Sequence, residues 1–275
     1  MDNLTRIISA VDRVIEPPEV WTRRISQSKF GDRGPHLEHR GDGTDAWIVD
    51  GRVFSLAEVA QIGALMNDRT TVPTRWEEIP NAAYDPDARL KAMDDDGVDC
   101  AVLYPSLAGF SGERFGAITD PELELVCAQA YNDWLIDEWA ARSTRFIPQC
   151  VVPLSPIAAT VAEIRRAVGR GHRGVIFPAT PMRLGDLPHI NGANYDPVWA
   201  VCQELEVPLC FHAGSTPELF QFPTPPTMAP ELAAVSSSGQ PSVRTLVAEM
   251  TSRSETFTRA ALPAEDRRRL GQVNK

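Results

Sequence analysis

The stretch "YDPVWAVCQELEVPLCFHAGS", residues 195–215, contains a helix pattern followed directly by a strand pattern. Asp196 is a candidate N-cap, with Pro197 at the first helical position. The inward-facing positions at helical spacing are Trp199, Cys202 and Leu205. The run "VPLCFH" (207–212) is continuously apolar until its last residue, which is typical of a parallel strand covered on both faces.

The same alternation of strand and helix occurs upstream. Asp120 is a candidate N-cap before Pro121, and a helical stripe over 157–168 is followed by Gly169 and Gly171. The predicted strands are 6–12, "VDCAVLYP" (98–105), "FIPQCVVP" (146–153), "GVIFPA" (174–179) and 207–212. Such units form either a (β/α)8 barrel or a doubly wound parallel sheet.

No glycine-rich phosphate-binding turn follows any strand, which favours the barrel over the nucleotide-binding sheet. We therefore predict an incomplete or distorted (β/α)8 TIM barrel, in a single domain over residues 1–275. Residues 22–85 are rich in Gly, Pro and charge, and are predicted to form a long insertion after the first strand.

Composition excludes several classes of protein. Of 275 residues 43% are hydrophobic and 23% charged, as in an ordinary globular protein, and the net charge of −10 argues against a nucleic-acid partner. No apolar run is long enough to span a membrane, and "MDNLTRIISA" does not have the pattern of a secretory signal. Five scattered cysteines without CxxC spacing indicate reduced thiols and a cytoplasmic protein.

Polar side chains stand at the predicted strand ends, where a barrel places its functional groups. They are Asp12, Arg13, Tyr104, Ser106, Gln149, the segment 178–180 and His212. His212 ends an apolar strand before a glycine-containing turn, which suits a metal ligand or a general base. The alternative is a core histidine bonded to a backbone carbonyl.

The remaining polar and aromatic features have simpler interpretations. The other histidines, His36, His39, His172 and His189, are predicted to be surface residues. The acidic triplet 94–96 reads as a solvated helix end, and the arginine run 267–269 as an exposed helix face. Trp134 and Trp139 are predicted to lie in the core.

Several phrases, taken in order, resemble the amidohydrolase-related family, in its aminocarboxymuconate semialdehyde decarboxylase-like branch. They are "IISAVDRVIEPPEVW", "YNDWL", "GHRGVIFPA", "YDPVWAVCQELEVPLCFHAGS" and "LPAEDRRRL". The resemblance implies a distorted (β/α)8 barrel that performs hydrolysis or non-oxidative decarboxylation of a small carboxylated substrate. It also implies a divalent metal, zinc or manganese, at the barrel mouth.

The resemblance also implies metal ligands in a D-x-H or H-x-H pair after the first strand. Val11 and Arg13 occupy those two positions here, and neither side chain offers a lone pair, so His212 is the ligand that remains. Arg13 can instead bind a substrate carboxylate, alongside Tyr104 and Ser106 as further substrate-binding residues. Asp12 becomes a ligand only if the strand shifts by one residue, which turns every side chain to the opposite face.

After His212, 63 residues remain, whereas three further strand–helix units need roughly 90 to 100. We therefore expect a shortened part over 213–275 that lacks the last strands. Open sheet edges need a cover, so a homo-oligomer is one expectation.

Three hypotheses about function follow from these observations. The first is a metal-dependent hydrolase or carboxy-lyase acting on a small carboxylate. The second is a catalytically inactive relative, or an interaction module, that has lost metal binding. The third is a metal-independent enzyme in which His212 exchanges protons and Arg13 anchors the carboxylate.

Overall fold

The computed structural model describes residues 6–60 and 73–212, all of which belong to one compact unit. In chain order the strands are β1 (Ile8–Arg13), β2 (His36–His39), β3 (Asp45–Val49), β4 (Arg52–Ser55), β5 (Cys100–Tyr104), β6 (Phe146–Cys150), β7 (Gly174–Ile176) and β8 (Leu209–Cys210). The helices are α1 (Pro18–Arg24), α2 (Gln27–Phe30), α3 (Leu56–Ala60), α4 (Pro86–Asp96), α5 (Pro121–Trp134), α6 (Ile157–Arg170) and α7 (Asp196–Glu204). A π-helical turn, Leu135–Ala140, continues α5.

The central sheet has five parallel strands in the order β1-β5-β6-β7-β8. From one edge of this sheet to the other, the strands follow one another in chain order, so the order never reverses. A doubly wound sheet reverses its order at a switch point, whereas a barrel does not. The sheet is therefore part of a (β/α)8 barrel, as predicted.

The predicted insertion over 22–85 contains the second sheet, which is antiparallel with the order β2-β3-β4. Its central strand, β3, is buried along its whole length, and Trp47 is fully buried in the main core. The glycine, proline and charge content of the segment did not reveal this sheet.

The predicted residues at the helix ends are confirmed for α5 and α6, and the prediction for α7 is wrong. The Asp120 carboxylate caps α5 by accepting from two backbone N–H groups, and Gly171 ends α6 at φ 119°. Asp196, however, is the first helical residue of α7 and not its cap, which is Tyr195. The preceding 3-10 turn, Ala193–Tyr195, leads straight into the helix, so the backbone is already helical at Asp196 (φ −51°, ψ −40°).

Burial confirms most of the simpler interpretations. Trp134 and Trp139 are buried, and the acidic triplet 94–96 is exposed at the end of α4. The prediction of a surface position for His172 is wrong, because its side chain is only 2% exposed and its Nε2 lies 3.0 Å from the Asn132 carbonyl oxygen. Burial lowers the pKa of His172 to about 4.

The motif "YNDWL" contains Asn132, the residue whose carbonyl contacts His172. The Asn132 side chain donates to the Val151 carbonyl at 2.8 Å and accepts from the Val151 N–H at 2.9 Å. It also donates to the buried Glu163 carboxylate at 2.7 Å. The motif therefore joins α5, the end of β6 and α6, and its role is structural.

Within the described residues, no helix is long and apolar enough to cross a membrane. The predictions for the arginine run 267–269 and for the shortened C-terminal part, 213–275, fall outside the described residues.

Candidate active site at the carboxyl end of the parallel sheet

The carboxyl ends of four strands bring the predicted polar residues together. Arg13, the last residue of β1, is the register partner of Tyr104, the last residue of β5. Gln149 lies near the end of β6, and His212 lies two residues beyond β8. Because parallel strands end at the same edge of a sheet, these residues lie along one edge, where a barrel places its functional groups.

Arg13 is 94% buried at this edge, since only 6% of its surface is exposed. Its Nη1 donates to the Pro105 carbonyl, and its Cζ lies 4.0 Å from the centre of the Phe110 ring. Its Nη2 is buried and has no hydrogen-bond partner among the described residues. A buried guanidinium N–H without an acceptor is uncommon, because burial removes water that would otherwise accept from it.

His212 lies among aromatic rings in the same region. Its ring centre is 4.9 Å from that of Phe110, at an interplanar angle of 30°, and 6.0 Å from that of Tyr104. Its backbone N–H donates to the Ser111 hydroxyl at 3.3 Å. Phe110 thus contacts both residues that the sequence singled out, Arg13 and His212.

Tyr104, Cys210 and Gln149 form the adjoining part of the site. The Cys210 thiol donates to the Gln149 Oε1 at 3.4 Å. Burial, followed by the contact with Cys210, raises the pKa of Tyr104 to about 12, so its hydroxyl remains protonated at neutral pH.

Ser106, predicted to bind substrate, is fully buried, and its hydroxyl has no hydrogen-bond partner in the described part of the chain. Its backbone is held on both sides: its N–H donates to Glu16 at 3.1 Å, and its carbonyl accepts from Arg114 at 2.9 Å. Its part in substrate binding stays a prediction.

Three residues of this region were missed by the sequence reasoning: Phe110, Glu16 and Glu113. Phe110 lies in the loop between β5 and α5, where an aromatic residue has no periodicity to mark it. Glu16 is an acid inside the buried run that follows β1, "VIEPP", and that position was a detectable signal.

The first-strand metal positions do not fit a metal ion. The Val11 side chain is a hydrocarbon that is half exposed, and the Arg13 guanidinium has no lone pair. The carboxylate of Asp12 is paired with Arg89 of α4. Within residues 6–60 and 73–212, no group of three His, Cys, Asp or Glu side chains is placed to hold an ion.

Strand β1 contains an irregularity of one residue just before Asp12. Ser9 pairs with Ala101 and Asp12 with Leu103, so β1 contains one residue more than β5 between these pairs. This is a β-bulge, which reverses the faces of the residues that follow it. The Asp12 carboxylate nevertheless accepts a hydrogen bond from Arg89 of α4.

A family model and curated relatives match this chain. A family model described as Amidohydrolase matches residues 73–266, well over half of the chain. A gamma-resorcylate decarboxylase from Rhodococcus jostii (strain RHA1) is 30% identical over 174 residues, which are 58% of this chain and 50% of that protein. A gamma-resorcylate decarboxylase from Rhizobium radiobacter is 29% identical over 147 residues, which are 50% of this chain and 42% of that protein. The chain spans about half the length of the curated relatives it matches.

Two solved structures share the fold. The amidohydrolase of Mycobacterium avium subsp. paratuberculosis K-10 has a TM-score of 0.60 at 21% identity, covering 79% of this chain and 61% of its own. The 5-carboxyvanillate decarboxylase of Novosphingobium aromaticivorans, solved with manganese and 3-methoxy-4-hydroxy-5-nitrobenzoic acid, has a TM-score of 0.52 at 17% identity. That match covers 85% of this chain and 56% of the decarboxylase.

Proposed function

Because the chain belongs to the amidohydrolase family, we propose that it binds a small aromatic carboxylate at the carboxyl end of its parallel sheet and acts on it as a carboxy-lyase or hydrolase. The relatives that are named gamma-resorcylate decarboxylases support this class of substrate. The expected divalent ion takes no part in the proposal, since the residues at the first-strand positions do not fit one.

The observation that carries the proposal is the unpaired Nη2 of Arg13. A carboxylate oxygen at this nitrogen would supply the missing acceptor in a charge-assisted hydrogen bond. The neighbouring rings of Phe110, Tyr104 and His212 provide an apolar, aromatic surface for the rest of the ligand. A cation beside aromatic rings suits a benzoate better than an aliphatic acid.

In the proposed decarboxylation, His212 is the proton donor. In a non-oxidative decarboxylation the bond between the ring carbon and the carboxylate breaks, and its electron pair stays on the ring carbon. That carbon takes a proton as carbon dioxide leaves. We assign the proton donation to the His212 imidazole, because an imidazole can both give and take a proton and the His212 ring lies beside the Tyr104 and Phe110 rings of the proposed site.

A second candidate, binding without turnover, is favoured by the same arginine. A guanidinium that holds the departing carboxylate stabilises the charged reactant more than the neutral carbon dioxide that forms. Such ground-state binding raises the barrier instead of lowering it. If the reacting carboxylate stays at Arg13 and no other group in the site stabilises the transition state, the site binds the carboxylate without decarboxylating it.

One set of measurements on the full-length chain separates these outcomes. Calorimetry with gamma-resorcylate, with and without a chelator, measures affinity, and chromatography measures loss of the substrate to its decarboxylated phenol. We expect binding that survives chelation and falls at least tenfold in Arg13→Gln, since hydrogen bonds to charged groups contribute about 1.5–3 kcal/mol.

The matched control is Arg165→Gln, because Arg165 is exposed and its guanidinium is bonded to Glu204. This control should bind as the wild type does. Turnover that disappears in His212→Asn supports the carboxy-lyase, and binding without turnover supports the second candidate. No binding of an aromatic carboxylate by the folded wild type would overturn the proposal.

A further inference from the structure

We propose that Glu16 and Glu113 are positioning residues for the carboxylate site, because they fix the segment 105–116 so that Phe110 stays against Arg13. The inference rests on the proposed function only in naming a small carboxylate as the ligand. Neither glutamate is proposed to contact that ligand. Each acts through the backbone of the loop that carries Phe110 and Ser111.

Glu16 holds the beginning of the segment. Its side chain is fully buried, and its two carboxylate oxygens accept the backbone N–H groups of Ser106 at 3.1 Å and Leu107 at 2.9 Å. A carboxylate removed from water requires such donors to be tolerated. The Arg13 guanidinium is near enough for the two charges to interact.

Glu113 holds the middle of the segment in the same way. Its oxygens accept the backbone N–H groups of Phe110 at 2.9 Å and Ser111 at 2.7 Å. Gly109 leaves room for this carboxylate, since a Cβ at that position would overlap the Glu113 carboxyl group. The four N–H groups are thus bound by two side chains.

Two carbonyl groups of the same segment are bound by arginine side chains. Arg13 donates to the Pro105 carbonyl, and Arg114 donates to the Ser106 carbonyl at 2.9 Å. No strand or helix covers residues 105–116. Side-chain hydrogen bonds, together with backbone hydrogen bonds such as that from the Gly109 N–H to the Ser106 carbonyl at 3.2 Å, therefore hold the loop that carries Phe110.

Two variants, Glu16→Gln and Glu113→Gln, test the proposal in the full-length chain at pH 8. A glutamine keeps the shape but replaces one accepting oxygen with an NH₂ group, which cannot accept from a backbone N–H. The matched control is Glu124→Gln, since the buried Glu124 carboxylate accepts the N–H groups of Leu154 and Ser155 in the next loop of the barrel.

The first measurement needs no ligand. In a ¹⁵N-edited NMR spectrum, the Arg13 Nε–H signal, assigned by its loss in Arg13→Lys, reports the position of the Phe110 ring through ring-current shielding. We expect this signal to move in both loop variants and to stay in place in Glu124→Gln. The second measurement is gamma-resorcylate affinity, which should fall about tenfold in both loop variants.

The outcomes separate this inference from the proposed function. If the Arg13 signal and the affinity are unchanged while only the melting temperature falls, Glu16 and Glu113 are merely structural and the inference is wrong. If the signal moves but even the wild type binds no carboxylate, the proposed function fails and the positioning role stands. Should Glu16→Gln not fold, Glu113→Gln decides, because its side chain is only partly buried.

Discussion

Asp12 and Arg13 are adjacent at the end of β1, yet their side chains bind different parts of the molecule. Asp12 pairs with Arg89 of α4, whereas Arg13 contacts the Pro105 carbonyl and the Phe110 ring. Successive side chains of a strand point to opposite faces, which accounts for the division. The acid therefore ties the strand to an outer helix, and the arginine faces the site.

The first prediction concerns this ion pair. Arg89 is fully buried, and it also donates to the carbonyls of Ala82 and Arg13. Asp12→Ala leaves the Arg89 charge buried without its counterion, so we expect the free energy of unfolding to fall by about 3–5 kcal/mol. Chemical denaturation measures the change.

The double variant Asp12→Ala/Arg89→Met removes the stranded charge and should be more stable than Asp12→Ala alone. Glu204→Ala, which breaks an exposed pair with Arg165, serves as the comparison and should cost less than about 1 kcal/mol. Equal costs for the buried and the exposed pair would show that Asp12 does not hold Arg89.

The second prediction concerns the lost metal positions. Val11→Asp/Arg13→His places two lone-pair donors where the family resemblance expects them and removes a fixed cation that repels a dication. We expect the double variant to bind Mn²⁺ or Zn²⁺ at least tenfold more tightly than the wild type, as measured by calorimetry and by metal content after dialysis. Arg13→His alone supplies one donor and should gain less. A double variant with no gain would mean that these positions do not converge on an ion.

The third prediction uses Gly109. It has a φ of +93°, and a Cβ would displace the Glu113 carboxylate. Gly109→Ala should therefore reproduce Glu113→Gln, with the same movement of the Arg13 NMR signal. Gly43→Ala is the control, because Gly43 has a similar φ of +84° and open space around it. That variant carries the backbone strain alone and should leave the Arg13 signal unchanged.

Much of the barrel could be predicted because its physical signals are local. The apolar runs before Tyr104 and His212 and the Asp120–Pro121 start of α5 depend on burial and on capping, which neighbouring residues specify. The predicted runs were longer than the observed strands, as β8 comprises only Leu209–Cys210. An apolar run marks burial, and it continues into loops that are also buried.

The site could be predicted only in part. Arg13, Tyr104 and His212 follow from the rule that strand ends carry function, and the structure brings them together. Glu113 binds N–H groups only two and three residues before it, in a loop that has no periodicity to mark it. Phe110 and Glu16 depend on contacts between segments that are far apart in the chain: Glu16 and Ser106 are 90 residues apart. No local pattern encodes such pairings. The burial of His172 was missed for the same reason, since its partner Asn132 lies 40 residues away.

The last prediction concerns stability and pH. Burial raises the pKa of Glu124 to about 8, whereas a glutamate in the unfolded chain has a pKa of about 4.3. Between these values the folded state holds a proton that the unfolded state has lost, so the stabilisation present at low pH disappears as the pH rises toward 8. The difference in unfolding free energy between wild type and Glu124→Gln should fall by on the order of 1 kcal/mol per pH unit across this window. Denaturation at pH 5, 6, 7 and 8 measures this difference.

Glu204→Gln gives the opposite case, because the hydrogen bond from Arg165 lowers the pKa of Glu204. Its difference from wild type should stay constant above pH 5, and a flat profile for Glu124→Gln as well would mean that its carboxylate is not desolvated in the folded protein.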